Sequence, residues 1–163
     1  MYVDGFISMS STYQAPSQNV LESFQNLYNG WISTPVPSDE LMNMAITAWG
    51  ADLDVSSDRR TLIKRDWKTR YNGAENVESI ANCMNTRDDI LDKLNKVKCP
   101  QAVLLIQGEM DTTWLVEEVE KIRDVFLDAE LKVIRGRGHM LIFARPSNDI
   151  NRMVEEFLNK LGY

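Results

Sequence analysis

The sequence predicts an α/β protein in which about three parallel strands form one sheet, interrupted by a helical insertion. Three observations predict it. The continuous apolar run Ala102 to Gln107 reads as a strand buried on both faces. From Cys99-Pro100 onward strand and helix alternate, and at this length the pattern implies right-handed parallel crossovers within one sheet. Between a short apolar opening and that alternation, the chain is helical, with no repeat and no low-complexity linker.

Tyr2 to Met9 is short, apolar and rich in β-formers, and ends in Ser10-Ser11-Thr12; it reads as a buried strand. Ala15-Pro16-Ser17 is a helix entry, after which Val20, Leu21, Phe24, Leu27, Tyr28 and Trp31 recur at helical spacing. The loop Thr34 to Asp39 carries a second cap signal before the stripe Leu41, Met44, Ala45, Ala48 and Trp49. Gly50 to Ser57 breaks that stripe. Asp58 to Tyr71 is a strongly charged third helix, ended by Asn72-Gly73. Val77 to Cys83 and Asp88 to Val97 read as shorter helical pieces. Beyond the strand at 102–107, Leu115, Val119, Ile122 and Phe126 mark one face of a helix, and Leu131 to Ile134 is the next strand. Ile150, Met153, Val154, Phe157, Leu158 and Leu161 give the clearest helical stripe in the chain.

At 163 residues the chain fits one domain with a core of its own. Its 44% hydrophobic and 26% charged content is that of a soluble globular protein. A net charge of −6, from 18 Lys+Arg against 24 Asp+Glu, argues against nucleic acid as a partner, because phosphate binding relies on excess cations. No apolar run approaches the ~20 residues of a membrane-spanning helix. The opening Met1-Tyr2-Val3-Asp4-Gly5 has no basic region of a secretory signal, so a cytoplasmic location is expected. Cys83 and Cys99 have no second pair or neighbouring histidine, which predicts buried free thiols and no metal site. Arg59, Arg60, Lys64, Arg65, Lys68 and Arg70 suit either an anionic-substrate site or a solvated face interleaved with Asp58 and Asp66.

Two residues carry the chemistry. Asp111 follows the strand at 102–107, and His139, the one histidine, follows the strand at 131–134. Catalytic groups of parallel sheets sit beyond the carboxyl ends of the strands, where both residues fall. There a carboxylate can accept a hydrogen bond from the imidazole, fix its tautomer and stabilise the imidazolium. Gly108 permits a sharp turn after the first strand, and Gly136 and Gly138 free the histidine loop. A duller reading makes Asp111 the N-cap of a helix starting near Thr113, and His139 a surface-loop residue.

Lys98-Cys99-Pro100 leading into a strand, Gly108-x-x-Asp111, Gly136-x-Gly138-His139, Pro146 and a closing amphipathic helix resemble the C-terminal part of the α/β-hydrolase superfamily. The resemblance implies a partial α/β-hydrolase sheet with an inserted helical lid. Residues 1–14 and 93–163 would form the C-terminal part of the core, and 15–92 the lid. Tyr2 to Met9 would be the sixth strand, Asp111 the acid and His139 the base of a cofactor-free hydrolase acting on a small ester, lactone or amide-like substrate. Trp114 and Met140 neighbour that pair and Tyr13 lies just past the opening strand, so these three are the candidate substrate-binding residues. Trp31, Trp49 and Trp67 suit either a pocket under the lid or ordinary packing.

The chain departs from the superfamily's pattern: its first five strands, its nucleophile elbow and both usual oxyanion contributors are not among these residues, and Gln101 is one extra residue between Pro100 and the strand. No Gly-x-Ser-x-Gly elbow is present, and Ser8, Ser10 and Ser11 have no flanking glycines to permit the strained turn. The nucleophile is therefore expected on a missing or separate segment, its type left open. The alternative is a non-catalytic binding or interaction protein derived from a truncated hydrolase. A sheet beginning at the sixth strand presents residues 2–9 as an apolar edge, which predicts a complementing chain or self-association there.

Overall fold

The computed structural model describes residues 5–48, 55–94, 96, 102–143 and 148–163. In chain order the elements are β1 (Phe6–Met9), α1 (Gln18–Ile32), α2 (Asp39–Ala48), α3 (Ser57–Arg70), α4 (Ala74–Asn85), α5 (Leu91–Leu94), β2 (Val103–Gly108), α6 (Val116–Val125), β3 (Ala129–Ile134) and α7 (Asn148–Lys160). A 3-10 turn spans Leu141–Phe143. The described residues separate into two compact units. One comprises those within 1–14 and 89–163, the other 15–48 and 55–88.

The first unit holds a parallel three-stranded sheet ordered β1-β2-β3, with Phe6 opposite Val103 and Val103 opposite Ala129. All six residues of β2 are buried, as a central strand covered on both faces must be. Side chains alternate across the sheet. Val103 and Leu105 pack with Tyr13, Val119 and Ile122 on one face, and Leu104 and Ile106 with Leu141, Ile150 and Phe157 on the other. Burial of each such aliphatic side chain stabilises the fold by about 1.5–3 kcal/mol. The helical unit ends at Asp88, short of the expected 92, because Ile90 N–H donates to the Tyr13 carbonyl (2.9 Å) and ties that segment to the sheet-bearing unit.

The caps of the helical unit form as expected and α1 follows its stripe, but α2 does not: its buried residues are Met42, Ala45 and Ile46, and the expected Met44 is 61% exposed. The Ser17 side chain accepts from Val20 N–H at the start of α1, and Ser56 from Arg59 N–H at the start of α3. Asp58 lies in the first turn of α3 and Lys68 and Arg70 in its last, each favourably placed on the helix dipole. Trp31 and Trp67 are buried with ring centroids 5.8 Å apart, and Trp31 Nε1 donates to the Tyr71 carbonyl (2.9 Å). Core packing therefore accounts for both; Trp49 lies outside the described residues. Of the basic cluster on α3, Lys64 and Lys68 both bind the exposed Asp39 carboxylate (3.2 and 2.6 Å), and Arg70 binds Asp66 (2.7 Å). These are solvated helix-face ion pairs, each worth little in water.

Four further expectations are corrected. The opening strand is not buried: Phe6 is 45% and Met9 38% exposed, because among the described residues β1 is an edge paired with β2 alone; residues 1–4 lie outside the described residues. The helix expected over 88–97 is described only as α5, four residues long. The helix expected near Thr113 begins at Val116, since residues 111–114 form a turn around Asp111. Cys83 is a free thiol but an exposed one, on the open face of α4; Cys99 lies outside the described residues.

Candidate active site

Because β2 and β3 run parallel, the loops that leave them emerge at the same rim of the sheet. Backbone bonds then join the two loops. Glu109 N–H donates to the Ile134 carbonyl (3.0 Å) and Met110 N–H to the Arg137 carbonyl (2.7 Å). The Glu109 carboxylate accepts from Gly136 N–H (2.9 Å), and Gly136 sits at φ +66°, a conformation that favours glycine. Gly108 is required for the close approach: a Cβ there would fall within 3.0 Å of the Arg137 and Gly138 carbonyl oxygens. The histidine loop lies directly on the backbone at the end of β2.

This contact brings Asp111 and His139 together. His139 Nδ1 lies 3.0 Å from Asp111 Oδ2, with the acid's side chain fully buried and the imidazole 24% exposed. The other carboxylate oxygen, Oδ1, accepts from Thr113 N–H (2.8 Å) and Trp114 N–H (3.0 Å). Capping and histidine binding are thus not rivals, since each uses its own oxygen. Burial pushes the Asp111 carboxyl up, but the His139 hydrogen bond and the Trp114 and Thr113 amides outweigh it, holding the acid below its ordinary value of 3.8. An ionised Asp111 accepts the Nδ1 proton and leaves Nε2 as the basic nitrogen.

Trp114 is buried, with its ring steeply tilted (70°) to the imidazole at 6.3 Å between centroids. Met140 is half-buried and follows His139 into the 3-10 turn, where Leu141 N–H donates to the His139 carbonyl (3.1 Å). Tyr13 is placed elsewhere. It is 4% exposed in the core cluster with Val103, Leu105, Val119 and Ile122, and its hydroxyl accepts from Gln14 Nε2 (2.8 Å), so packing accounts for it. Ser8 and Ser11 hydrogen-bond to each other through their hydroxyls, and Ser10 turns the chain off β1 at φ +47°. Among the described residues none of the three bonds to His139, whose polar partner is Asp111. Also among the described residues, no group of three or more His, Cys, Asp or Glu is placed to hold a metal ion, and no helix is long and apolar enough to cross a membrane.

One site residue escaped the sequence reading. Gln107, fully buried, donates from Nε2 to Asp111 Oδ2 (2.8 Å) and to the Trp114 carbonyl (2.6 Å). The signal was a polar residue closing an otherwise apolar buried strand, which needs a hydrogen-bond partner.

No protein-family model and no curated protein matches the sequence. Solved structures do match the fold. MenH from S. aureus superposes with a TM-score of 0.76 at 15% identity, covering 99% of this chain and 60% of its own. A thermophilic esterase from Thermogutta terrifontis gives 0.72 at 19% identity, covering 96% and 56%. A meta-cleavage product hydrolase from Pseudomonas fluorescens IP01 gives 0.67 at 17% identity, covering 97% and 56%. The chain therefore spans less than two thirds of the length of each of these structures.

Proposed function

We propose that this chain, which has the C-terminal part of the α/β-hydrolase fold, supplies the acid and base of a cofactor-free hydrolase whose nucleophile lies on another segment. The observation that carries the reading is the 3.0 Å contact from His139 Nδ1 to a buried, ionised Asp111 at the carboxyl rim of the sheet. Fold likeness at 15–19% identity says nothing of the substrate. The chemistry of the pair suits a small ester, lactone or amide-like carbonyl. A nucleophile attacks the carbonyl and its proton passes to His139 Nε2; the resulting imidazolium is stabilised by Asp111. His139 next gives that proton to the leaving group, then takes one from the water that releases the acyl group. In this reading the helical unit acts as a lid that excludes water, and Trp114 and Met140 contact the substrate.

A second reading is favoured by one specific observation, the absence of a Gly-x-Ser-x-Gly elbow from these 163 residues. It makes the chain a non-catalytic interaction protein built on the same sheet. Translating the DNA upstream of Met1 separates the two. An in-frame elbow, with Ser or Asp at its centre, supports the enzyme, and the extended protein is then assayed with short-chain p-nitrophenyl esters. His139→Ala is expected to lower kcat by roughly 10⁶-fold, the loss typical of removing the base from such a relay. With no such frame, and no His139-dependent ester turnover by the purified chain, the interaction reading takes its place.

Both readings place a partner on β1. Its outer edge has no strand beside it among the described residues, and Phe6 and Met9 are exposed on it. Such an edge pairs readily with another strand. Light scattering is expected to report a species larger than one chain, reduced to monomer by Phe6→Lys with Met9→Lys. A strictly monomeric species formed by these 163 residues contradicts the edge pairing.

A further inference from the structure

We infer that Gln107 is a positioning residue, whose single amide nitrogen holds both the acid and the Trp114 backbone against His139. The inference rests on the acid–base reading of Asp111 and His139. Gln107 Nε2 has two protons, and each has an acceptor: Asp111 Oδ2 at 2.8 Å and the Trp114 carbonyl at 2.6 Å. The opposite amide orientation is excluded by charge, because it would set Oε1 against a carboxylate oxygen and a carbonyl oxygen at once.

Two features separate this role from ordinary packing. The preceding strand residues, Val103 to Ile106, are apolar and buried, so an apolar side chain would complete the strand equally well. Gln107 instead keeps Oε1 buried with no hydrogen-bond partner among the described residues, a cost that an aliphatic residue avoids. What the amide gives in return is a second anchor on the carboxylate. Thr113 and Trp114 hold Oδ1 from the turn, and Gln107 holds Oδ2 from the strand. With both oxygens held, the carboxylate plane is fixed and Oδ2 stays aimed at Nδ1. The same nitrogen fixes the carbonyl of Trp114, whose ring lies across from the imidazole at 6.3 Å between centroids.

The chain has one histidine, so its imidazole ¹⁵N resonances are assigned without ambiguity. In the wild-type chain with the ring neutral, the ¹⁵N spectrum is expected to show a single tautomer protonated at Nδ1. Gln107→Met, close in size but lacking donors, is expected to lose that signature and drift towards the Nε2-protonated form of free imidazole, with unchanged circular dichroism. Gln107→Asn, which withdraws the amide by one methylene, takes its place if the Met variant does not fold. A wild-type tautomer in whichever variant folds overturns the inference. Asp111→Asn provides the separate arm. If it too leaves the ¹⁵N spectrum unchanged, the acid–base pairing itself fails, whatever Gln107 does.

Discussion

Asp111→Asn is expected to cost about 1–3 kcal/mol of unfolding free energy near neutral pH and, under the proposed acid–base role, roughly 10⁴-fold in kcat. Every partner of this buried carboxylate, at Gln107, Thr113, Trp114 and His139, presents a nitrogen. An asparagine amide must turn its NH₂ towards one pair of them, leaving buried donors facing donors. The dependence on pH follows from the lowered Asp111 pKa. A carboxylate held below its unfolded value of 3.8 contributes its full stability above that pH and loses it as pH falls through the lower folded value. The stability gap between wild type and Asp111→Asn is therefore expected in urea titrations at pH 7 and should shrink below about pH 4. A gap that stays constant down to pH 2 would show that the charge on Asp111 contributes nothing.

Gly108→Ala is the second substitution with a large expected effect. The added Cβ meets the carbonyl oxygens of Arg137 and Gly138, and lies 2.8 Å from the Arg137 carbonyl carbon. These are backbone atoms, so no side-chain rotation relieves the clash. Overpacking ordinarily costs about 1–3 kcal/mol, and this site is expected at the upper end. The histidine loop must lift, and His139 with it, so a displacement near 1 Å would lower activity by roughly 10²-fold. Thermal unfolding and a structure of the variant check both parts. Wild-type stability with the acid–histidine distance still at 3.0 Å would count against the staple between the loops.

The parts of the fold that carry the site were the most legible in sequence. β2 was announced by its unbroken apolar run, and α6 and α7 by stripes of apolar residues at helical spacing. Once two parallel strands were in hand, the rim position of Asp111 and His139 followed from topology, and their pairing was readable from residue type. What escaped depended on neighbours that no local pattern encodes. β1 has the composition of a buried strand but lies at an edge among the described residues; its place followed from the resemblance to a sheet taken up at its sixth strand, while its own residues carry no sign of it. Tyr13 follows β1 closely, yet a turn sends it into the core beside Val103 and Leu105. Cys83 is small and apolar enough for an interior, and the face of α4 that bears it is open. Gln107 was hidden for the opposite reason. It sits in an apolar strand, and its partners come from residues four and seven positions later, through a turn whose shape the sequence does not specify.

The most direct test of the proposed relay is to trap the covalent intermediate it requires. The native protein, with whatever segment completes it, is mixed with a slowly hydrolysed activated ester and the acylated residue is located by mass spectrometry. The expected result is one acylated nucleophile outside these 163 residues, with acylation lost in His139→Ala and strongly slowed in Asp111→Asn. Acylation that proceeds unchanged in both variants, or none in the native assembly, would contradict an acid–base role for this pair.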